Sequence, residues 1–412
     1  MISDQPTPEP TRRAGDPAPA GYACWGDQIE EAAHQQMRNA RSLPVSVAAA
    51  LMPDAHVGYG LPIGGVLATD NAVIPYAVGV DIACRVRLTV FDLPAETVDR
   101  FQDRLAEFLE RETRFGVGAA WKGSRRAEHP VMDADWRITP ATADLKDTAW
   151  EQLGTSGSGN HFVEFGELEA WPNHHGIPAG RHLAVLSHSG SRGAGARVAS
   201  HYSKLARDQH PELPKELSHL AWLDMRTDGQ EYWAAMELMG RYAAANHAVI
   251  HDRLADAVGS LGGGVACAVE NHHNFAWKET HEIDGRRREV IVHRKGATPA
   301  GKGQLGFVPG SMAAPGYVVE GLGDPRSLDS GSHGAGRVMS RTQAKKVLDP
   351  EEVRAYLRER RVRLLSAGLD ESPQVYKNID RVLDAQSSLM RRVARFTPRI
   401  VKMAPSGERP ED

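Results

Sequence analysis

Glycine, more than any apolar run, constrains what this chain can fold into. Its 40 glycines gather in short phrases: "HVGYGLPIGG", "GTSGSGNHF", "HSGSRGAG", "GSLGGG", "RKGATPAGKG", "VPGSMAAPG" and "SGSHGAG". Short β-rich segments such as "LAVLSH" (Leu183 to His188) and "EVIVHRK" (Glu289 to Lys295) run directly into them. Glycine allows positive φ and carries no Cβ, so such loops bring backbone N–H groups close to a ligand, often a phosphate. Apolar residues at helical spacing lie elsewhere, in "ETVDRFQDRLAEFLERE" and "EYWAAMELMGRYAAANHAVIHDRLADAV". "DPEEVRAYLRERRVRLL" opens with Asp349 as cap and Pro350 in the first turn. The pattern predicts a mixed α/β (α+β) fold whose strands end in glycine-rich loops. No repeat, linker or composition shift divides the phrases, which predicts a single large domain over residues 22–402. Residues 1–21, rich in proline and small polar residues, and residues 403–412 read as disordered tails.

Composition excludes several classes. The net charge of −4 shows no overall pull toward nucleic acid, although a local basic surface is compatible with it. Cys24, Cys84 and Cys267 are odd in number and widely spaced, which argues against a disulfide framework and for a reducing compartment. No apolar run approaches membrane-spanning length. The start, "MISDQPTPEPTRRAGDPAPAG", lacks the apolar core of a secretory signal.

Within the apolar run "AVIPYAVGVDIACRV", Asp81 and Cys84 need explaining, because a carboxylate and a thiol are costly to bury unpaired. On its own, Cys84 reads as a small core filler and Asp81 as a turn cap. The histidine phrases change that. They are "MPDAHVGYG" with Asp54 and His56, "GSGNHFVEF" with Asn160, His161 and Glu164, and "LSHSGSRG" with His188 and Arg192. "ENHHNFAWKETH" adds His272, His273 and Glu279, and "SGSHGAGRVMSR" adds His333, Arg337 and Arg341. One such histidine is usually a satisfied hydrogen-bonding residue; several on small-residue loops are hard to explain as packing. His, Cys and Asp are common ligands of Zn, Mn or Co, and a thiolate can bridge two ions. A turn would point Asp81 and Cys84 to one side, where a straight strand would not. The reading that fits is a metal cluster from distant segments: Asp81, Cys84, His161, His188 and one of His272 or His273.

Two features look like sites and are not taken as such. "GATPAGKG" spells most of a P-loop, but Gly303 stands where Ser or Thr must hold Mg²⁺. "PNHHGIP", with His174 and His175, reads as a surface turn. No KxDG lysine motif of the common nucleotidyltransferase ligases is present.

Taken in order, "MPDAHVGYGLPIGGV", "AVGVDIACR", "GNHFVE", "HSGSRG", "NHHN", "RKGAT", "PGSM", "SHGAGRVMSR", "YKNID" and a late "VK" resemble the RtcB-type RNA ligases from about Met52 to Lys402. The resemblance implies a single-domain α/β fold peculiar to that family and a cytoplasmic setting. It implies a GTP- and Mn²⁺-dependent ligase that joins RNA 3′-phosphate or 2′,3′-cyclic phosphate ends to 5′-hydroxyl ends. The expected route is a histidine–GMP intermediate and an activated RNA-(3′)pp(5′)G end, in tRNA splicing or RNA repair. It further implies that Cys84 bridges two Mn²⁺ ions, with Asp81 and His161 on one and His188 and His273 on the other. By the same resemblance His333 is the nucleophile. Asn160, Glu164, Ser311, Arg337, Tyr376 and Lys402 hold the nucleotide, and Arg192, Arg337 and Arg341 face phosphates. Partners are RNA, such as tRNA halves or broken ends, GTP, and an archease-type activator. Ala313 after "PGSM", where the family has glycine, and the residues after Lys402, where it usually ends at "VKG", depart from the pattern. A metal-dependent phosphohydrolase or RNA end-processing enzyme is the competing reading; it would need the cluster but not His333.

Overall fold

The computed structural model describes residues 21–172 and 176–408. In chain order the first strands are β1 (Ala23–Cys24), β2 (Ser46–His56), β3 (Ile63–Thr69), β4 (Ala72–Val73) and β5 (Arg85–Pro94). Next come β6 (Phe162–Ala170), β7 (Gly180–Ser189), β8 (Leu223–Asp224), β9 (Val265–His272), β10 (Asn274–Ile283) and β11 (Arg286–Lys295). The last are β12 (Ala297–Pro299), β13 (Leu305–Val308), β14 (Gly316–Gly321), β15 (Ser330–Ser332), β16 (Arg363–Ser366) and β17 (Met390–Met403). The helices are α1 (Glu31–Arg41), α2 (Pro75–Val78), α3 (Thr97–Arg100), α4 (Gln102–Glu112) and α5 (Lys146–Gln152), then α6 (Arg192–Gln209), α7 (Asp228–Gly259), α8 (Arg341–Val347), α9 (Pro350–Glu359) and α10 (Ile379–Ala385).

Two sheets carry the molecule. One runs β1-β2-β3-β11-β10; the larger runs β13-β14-β17-β6-β7-β5-β9, with β16 added beside β17. In β7 the alternation of side chains buries both faces. Leu183 and Val185 join Ile250 and Leu254 of α7 in one core, while Ala184 and Leu186 join Val86, Phe307 and Phe396 in another. A strand buried on both faces reads as a continuous apolar run, which is why "LAVLSH" shows no polar alternation.

The helical patterns fall where the sequence places them, as α3 with α4, as α7, and as α9, where the Asp349 side chain accepts from the N–H groups of Glu351 and Glu352. The end of the third pattern, Arg363 to Leu365, is instead strand β16 paired to β17. The glycine phrase of the P-loop-like stretch leads to β12 and β13, with no helix to receive a phosphate. Residue 403, expected to start a tail, is instead the last residue of β17, and both Met403 and Ala404 are buried. Glu408 then accepts from the N–H of Val117 at 3.3 Å. His174 and His175, and the N-terminal tail apart from Gly21, lie outside the described residues. No described helix is long and apolar enough to cross a membrane.

Candidate active site

Strand register explains how distant phrases meet. Arg85 pairs with both Ser189 and His272, and Phe162 pairs with His188. One end of the adjacent strands β6, β7, β5 and β9 therefore carries His161, His188, Cys84 and His273 side by side. The turn that aims Cys84 has its N–H donating to Asp81 O at 3.2 Å, with Ala83 at φ 57°. Non-glycine residues seldom hold a left-handed conformation, and such strain is concentrated at functional sites. Gly190 is required by close approach, since a Cβ there would stand 2.1 Å from Asp81 Oδ1.

Cys84 Sγ lies 3.1 Å from His188 Nε2 and 3.5 Å from His161 Nε2. His188 Nε2 is 3.2 Å from His273 Nε2, and His161 Nε2 is 3.1 Å from Asp81 Oδ2. The outer ring nitrogens are committed: His161 Nδ1 faces Ser156 O at 2.7 Å and His188 Nδ1 faces Asn160 O at 3.1 Å. A carbonyl can only accept, so both Nδ1 atoms carry the proton and both Nε2 atoms present lone pairs inward. Burial, reinforced by neighbouring histidines, lowers the His188 pKa to about 3 and that of His273 well below its ordinary value. Burial opposes ionisation of Asp81, yet its pKa is lowered by its close polar neighbours, among them the Cys84 hydrogen bond and the Arg192 charge. Imidazole nitrogens, a cysteine sulfur and a carboxylate thus converge across 3.1–3.5 Å. A shared cation resolves that arrangement, and the backbone carbonyls behind His161 and His188 are the outer partners metal-binding histidines ordinarily have. The donor set fits a divalent transition metal.

The imidazoles continue as a row, with ring centroids 5.1 Å apart from His161 to His188, 5.1 Å from His188 to His273 and 4.7 Å from His273 to His333. His333 follows β15, and its Nδ1 lies 2.8 Å from Asp54 Oδ2. Asp54 is fully buried on β2, and despite burial its pKa is lowered by the hydrogen bond from His333 and by the charge of Lys377. That contact fixes the proton on Nδ1 and leaves Nε2 with its lone pair. Sequence reasoning assigns Asp54 no role; the one available signal is a carboxylate inside the glycine-rich "MPDAHVGYG".

Both groups of residues border one cavity, with about 1130 Å³ of empty space including its open mouth. Asn160, Glu164, Ser311, Arg337 and Tyr376 line it together with Asp81, Cys84, His161, His188, His273 and His333. Asn160 Oδ1 is buried with no hydrogen-bond partner, and burial alone raises the Glu164 pKa well above its ordinary value. Arg337, Arg341 and Tyr376 converge on Glu371, a residue sequence reasoning missed; Arg337 Nη1 approaches its carboxylate at 3.3 Å. Arg341 also reaches Asp370 at 3.3 Å and is not among the lining residues. Arg192, at φ 55°, is buried with its Nε donating to Thr155 Oγ1 at 3.1 Å, outside the lining. Its charge acts instead on Asp81.

Lys402 does not fit the nucleotide role expected of it. Alternation along β17 turns Val401 and Met403 into the cavity and Lys402 to the opposite face. There its Nζ lies 3.2 Å from Leu109 O and 2.7 Å from the Glu110 carboxylate of α4.

The family model described as "tRNA-splicing ligase RtcB" matches residues 36–403. The chain is 33% identical to the RNA-splicing ligase RtcB of Escherichia coli K12 over 90% of its own length and 94% of the relative's. It is 34% identical to the RNA-splicing ligase RtcB of Mycobacterium tuberculosis, covering 88% and 98% of the two chains. It is also 34% identical to the tRNA-splicing ligase RtcB of Nanoarchaeum equitans, covering 88% and 90%. The chain belongs to the RtcB family.

Proposed function

We propose that this protein is a GTP-dependent RNA ligase that joins a 3′-phosphate or 2′,3′-cyclic phosphate end to a 5′-hydroxyl end. The observation that supports it best is His333, held by Asp54 through Nδ1 at the end of an imidazole row that begins at the Cys84 cluster. A phosphohydrolase needs the cluster; it has no use for a histidine whose second nitrogen is kept free.

In this reading His333 Nε2 attacks the α-phosphorus of GTP, forming a P–N bond as the bond to pyrophosphate breaks. Asp54 keeps the ring oriented and stabilises the positive charge the imidazole gains. A 2′,3′-cyclic end is first opened by water, which adds to phosphorus as the bond to the 2′-oxygen breaks, leaving a 3′-phosphate; an oxygen of that 3′-phosphate then attacks the phosphorus of the bound GMP, breaks the P–N bond and takes GMP. The 5′-hydroxyl oxygen attacks the RNA 3′-phosphorus, releasing GMP and a proton and closing the phosphodiester. Two Mn²⁺ ions held by Cys84, with Asp81 and His161 and with His188 and His273, would supply positive charge against the phosphates. Arg337 and Arg341 would turn from Glu371 toward phosphate, to which their planar forks are suited. Glu164 would accept from the N1–H and N2–H₂ edge of guanine, whose donors favour the ionised carboxylate. Asn160, Ser311 and Tyr376 would line the nucleotide. A cytoplasmic setting, tRNA halves or broken RNA as substrate, and an archease-type activator belong to the same reading.

The test offers the protein one RNA ending in 3′-phosphate and another beginning with 5′-hydroxyl, with Mn²⁺, with and without GTP. GTP-dependent appearance of the joined strand is expected. Loss of the terminal phosphate without joining, independent of GTP, would support the hydrolase instead.

A further inference from the structure

We infer that Asn246, in the interior of α7, is a positioning residue for the metal centre: it clamps the loop that leads to His161 against the end of β7, the strand that carries His188. This inference rests on the metal-centre reading and extends it to a residue that touches no ligand. Asn246 is fully buried. Its Oδ1 accepts from the N–H groups of Gly154 at 2.7 Å and Thr155 at 3.1 Å. Its Nδ2 donates to Thr155 O at 2.9 Å, and to Ser189 Oγ and Gly190 O at 3.3 Å each. One amide therefore bonds the loop before β6 and the end of β7 at the same time.

Both segments hold metal-centre residues through their own backbone. Ser156 O, next to Thr155, faces His161 Nδ1, and Ser189 Oγ donates to that same oxygen at 2.9 Å. Ser191 N–H, next to Gly190, donates to Asp81 Oδ1 at 3.1 Å. On β7, alternation turns His188 into the cavity while Ser187 and Ser189 face α7. His247 continues the grip, its Nε2 3.1 Å from Ser189 O and its Nδ1 2.9 Å from Ser187 Oγ. The distance between the two histidine ligands is thus set by an amide behind them. Only asparagine supplies acceptor and donor at that reach: aspartate would turn a carboxylate oxygen toward the carbonyls of Thr155 and Gly190, and leucine would remove every bond that joins the two segments through this side chain.

The test titrates Co²⁺ into apo-protein and follows the thiolate-to-cobalt absorption from Cys84, alongside thermal unfolding of each apo-protein. Asn246→Asp and Asn246→Leu are expected to bind Co²⁺ roughly 10- to 100-fold more weakly, with a shifted and weakened band. A residue that merely supports the fold would lower apo stability and leave the band of the bound form unmoved. Should both variants fail to fold, Ser189→Ala removes the hydroxyl that bonds Ser156 O, Thr155 O and Asn246 Nδ2 while keeping the amide, and it too is expected to weaken binding and shift the band. Wild-type affinity and spectrum in the folded variants would overturn the clamp while leaving the metal centre standing. A wild-type protein that gives no thiolate band would overturn the metal centre itself, and the clamp with it.

Discussion

Asp54 separates the two nitrogens of His333 into one that is held and one that is free. Asp54→Asn would present an amide N–H or C=O to Nδ1 and let the ring take the other tautomer, so guanylylation by GTP is expected to slow by roughly 10²- to 10⁴-fold. Metal content should stay at the wild-type value; a variant labelling at the wild-type rate would remove Asp54 from the chemistry. Cys84 stands between His161 and His188, within 3.5 Å of both. Cys84→Ser is therefore expected to lose both ions in elemental analysis, where His161→Ala or His188→Ala loses one, because a serine hydroxyl stays protonated at neutral pH. Retention of two ions by Cys84→Ser would contradict a bridging thiolate. Lys402→Ala is expected to change the KM for GTP by less than about threefold, its ammonium being engaged with Leu109 and Glu110. At this scale residue type was informative in the sequence and direction was not. Cys84 and the histidines stood out by chemistry, whereas the facing of Lys402, away from the cavity, depends on strand register and has no local signal. Glu371 was missed because an acidic pair beside serine carries no signal of the arginines it will meet.

Elements with a local cause were legible. α9 begins where Asp349 can accept from two N–H groups, and Asp349→Ala is expected to lower stability by about 1 kcal/mol in urea unfolding without altering GTP labelling. A loss of labelling with unchanged stability would show that α9 bears on the site in some other way. Elements fixed by remote pairing were not legible. "RLL" continues a helical pattern on paper, yet β17 draws it into β16. Nothing local announces that β5 lies between β7 and β9, which is the fact that brings Cys84 to His188 and His273. The two-strand β12–β15 pair that delivers His333 is equally silent, since Ala297 meets Ser332 only in the folded chain.

Across the whole molecule, the mixed α/β character and single domain followed from the spread of glycine phrases, while the division into two sheets needed the long-range ladder. The core also stores pH sensitivity away from the metal centre. His293 is fully buried, its Nε2 accepting from Ile74 N–H at 2.9 Å, and burial lowers its pKa from 6.5 to about 4. The unfolded chain binds the proton more readily, so the contribution of His293 is present above the unfolded pKa of 6.5 and is lost as pH falls toward about 4. Urea unfolding is expected to show stability dropping between about pH 7 and about pH 5, on the order of 2 kcal/mol from this residue, with a smaller drop in a folded His293→Gln. An unchanged slope in that variant would place the sensitivity elsewhere. The most direct test of the proposed chemistry is to incubate the protein with α-labelled GTP and Mn²⁺, isolate it under denaturing conditions, and map the label by peptide mass spectrometry. An acid-labile GMP on His333, absent from His333→Ala that keeps its metal, is the expected result; label on another residue, or none in a metal-loaded wild-type protein, would contradict it.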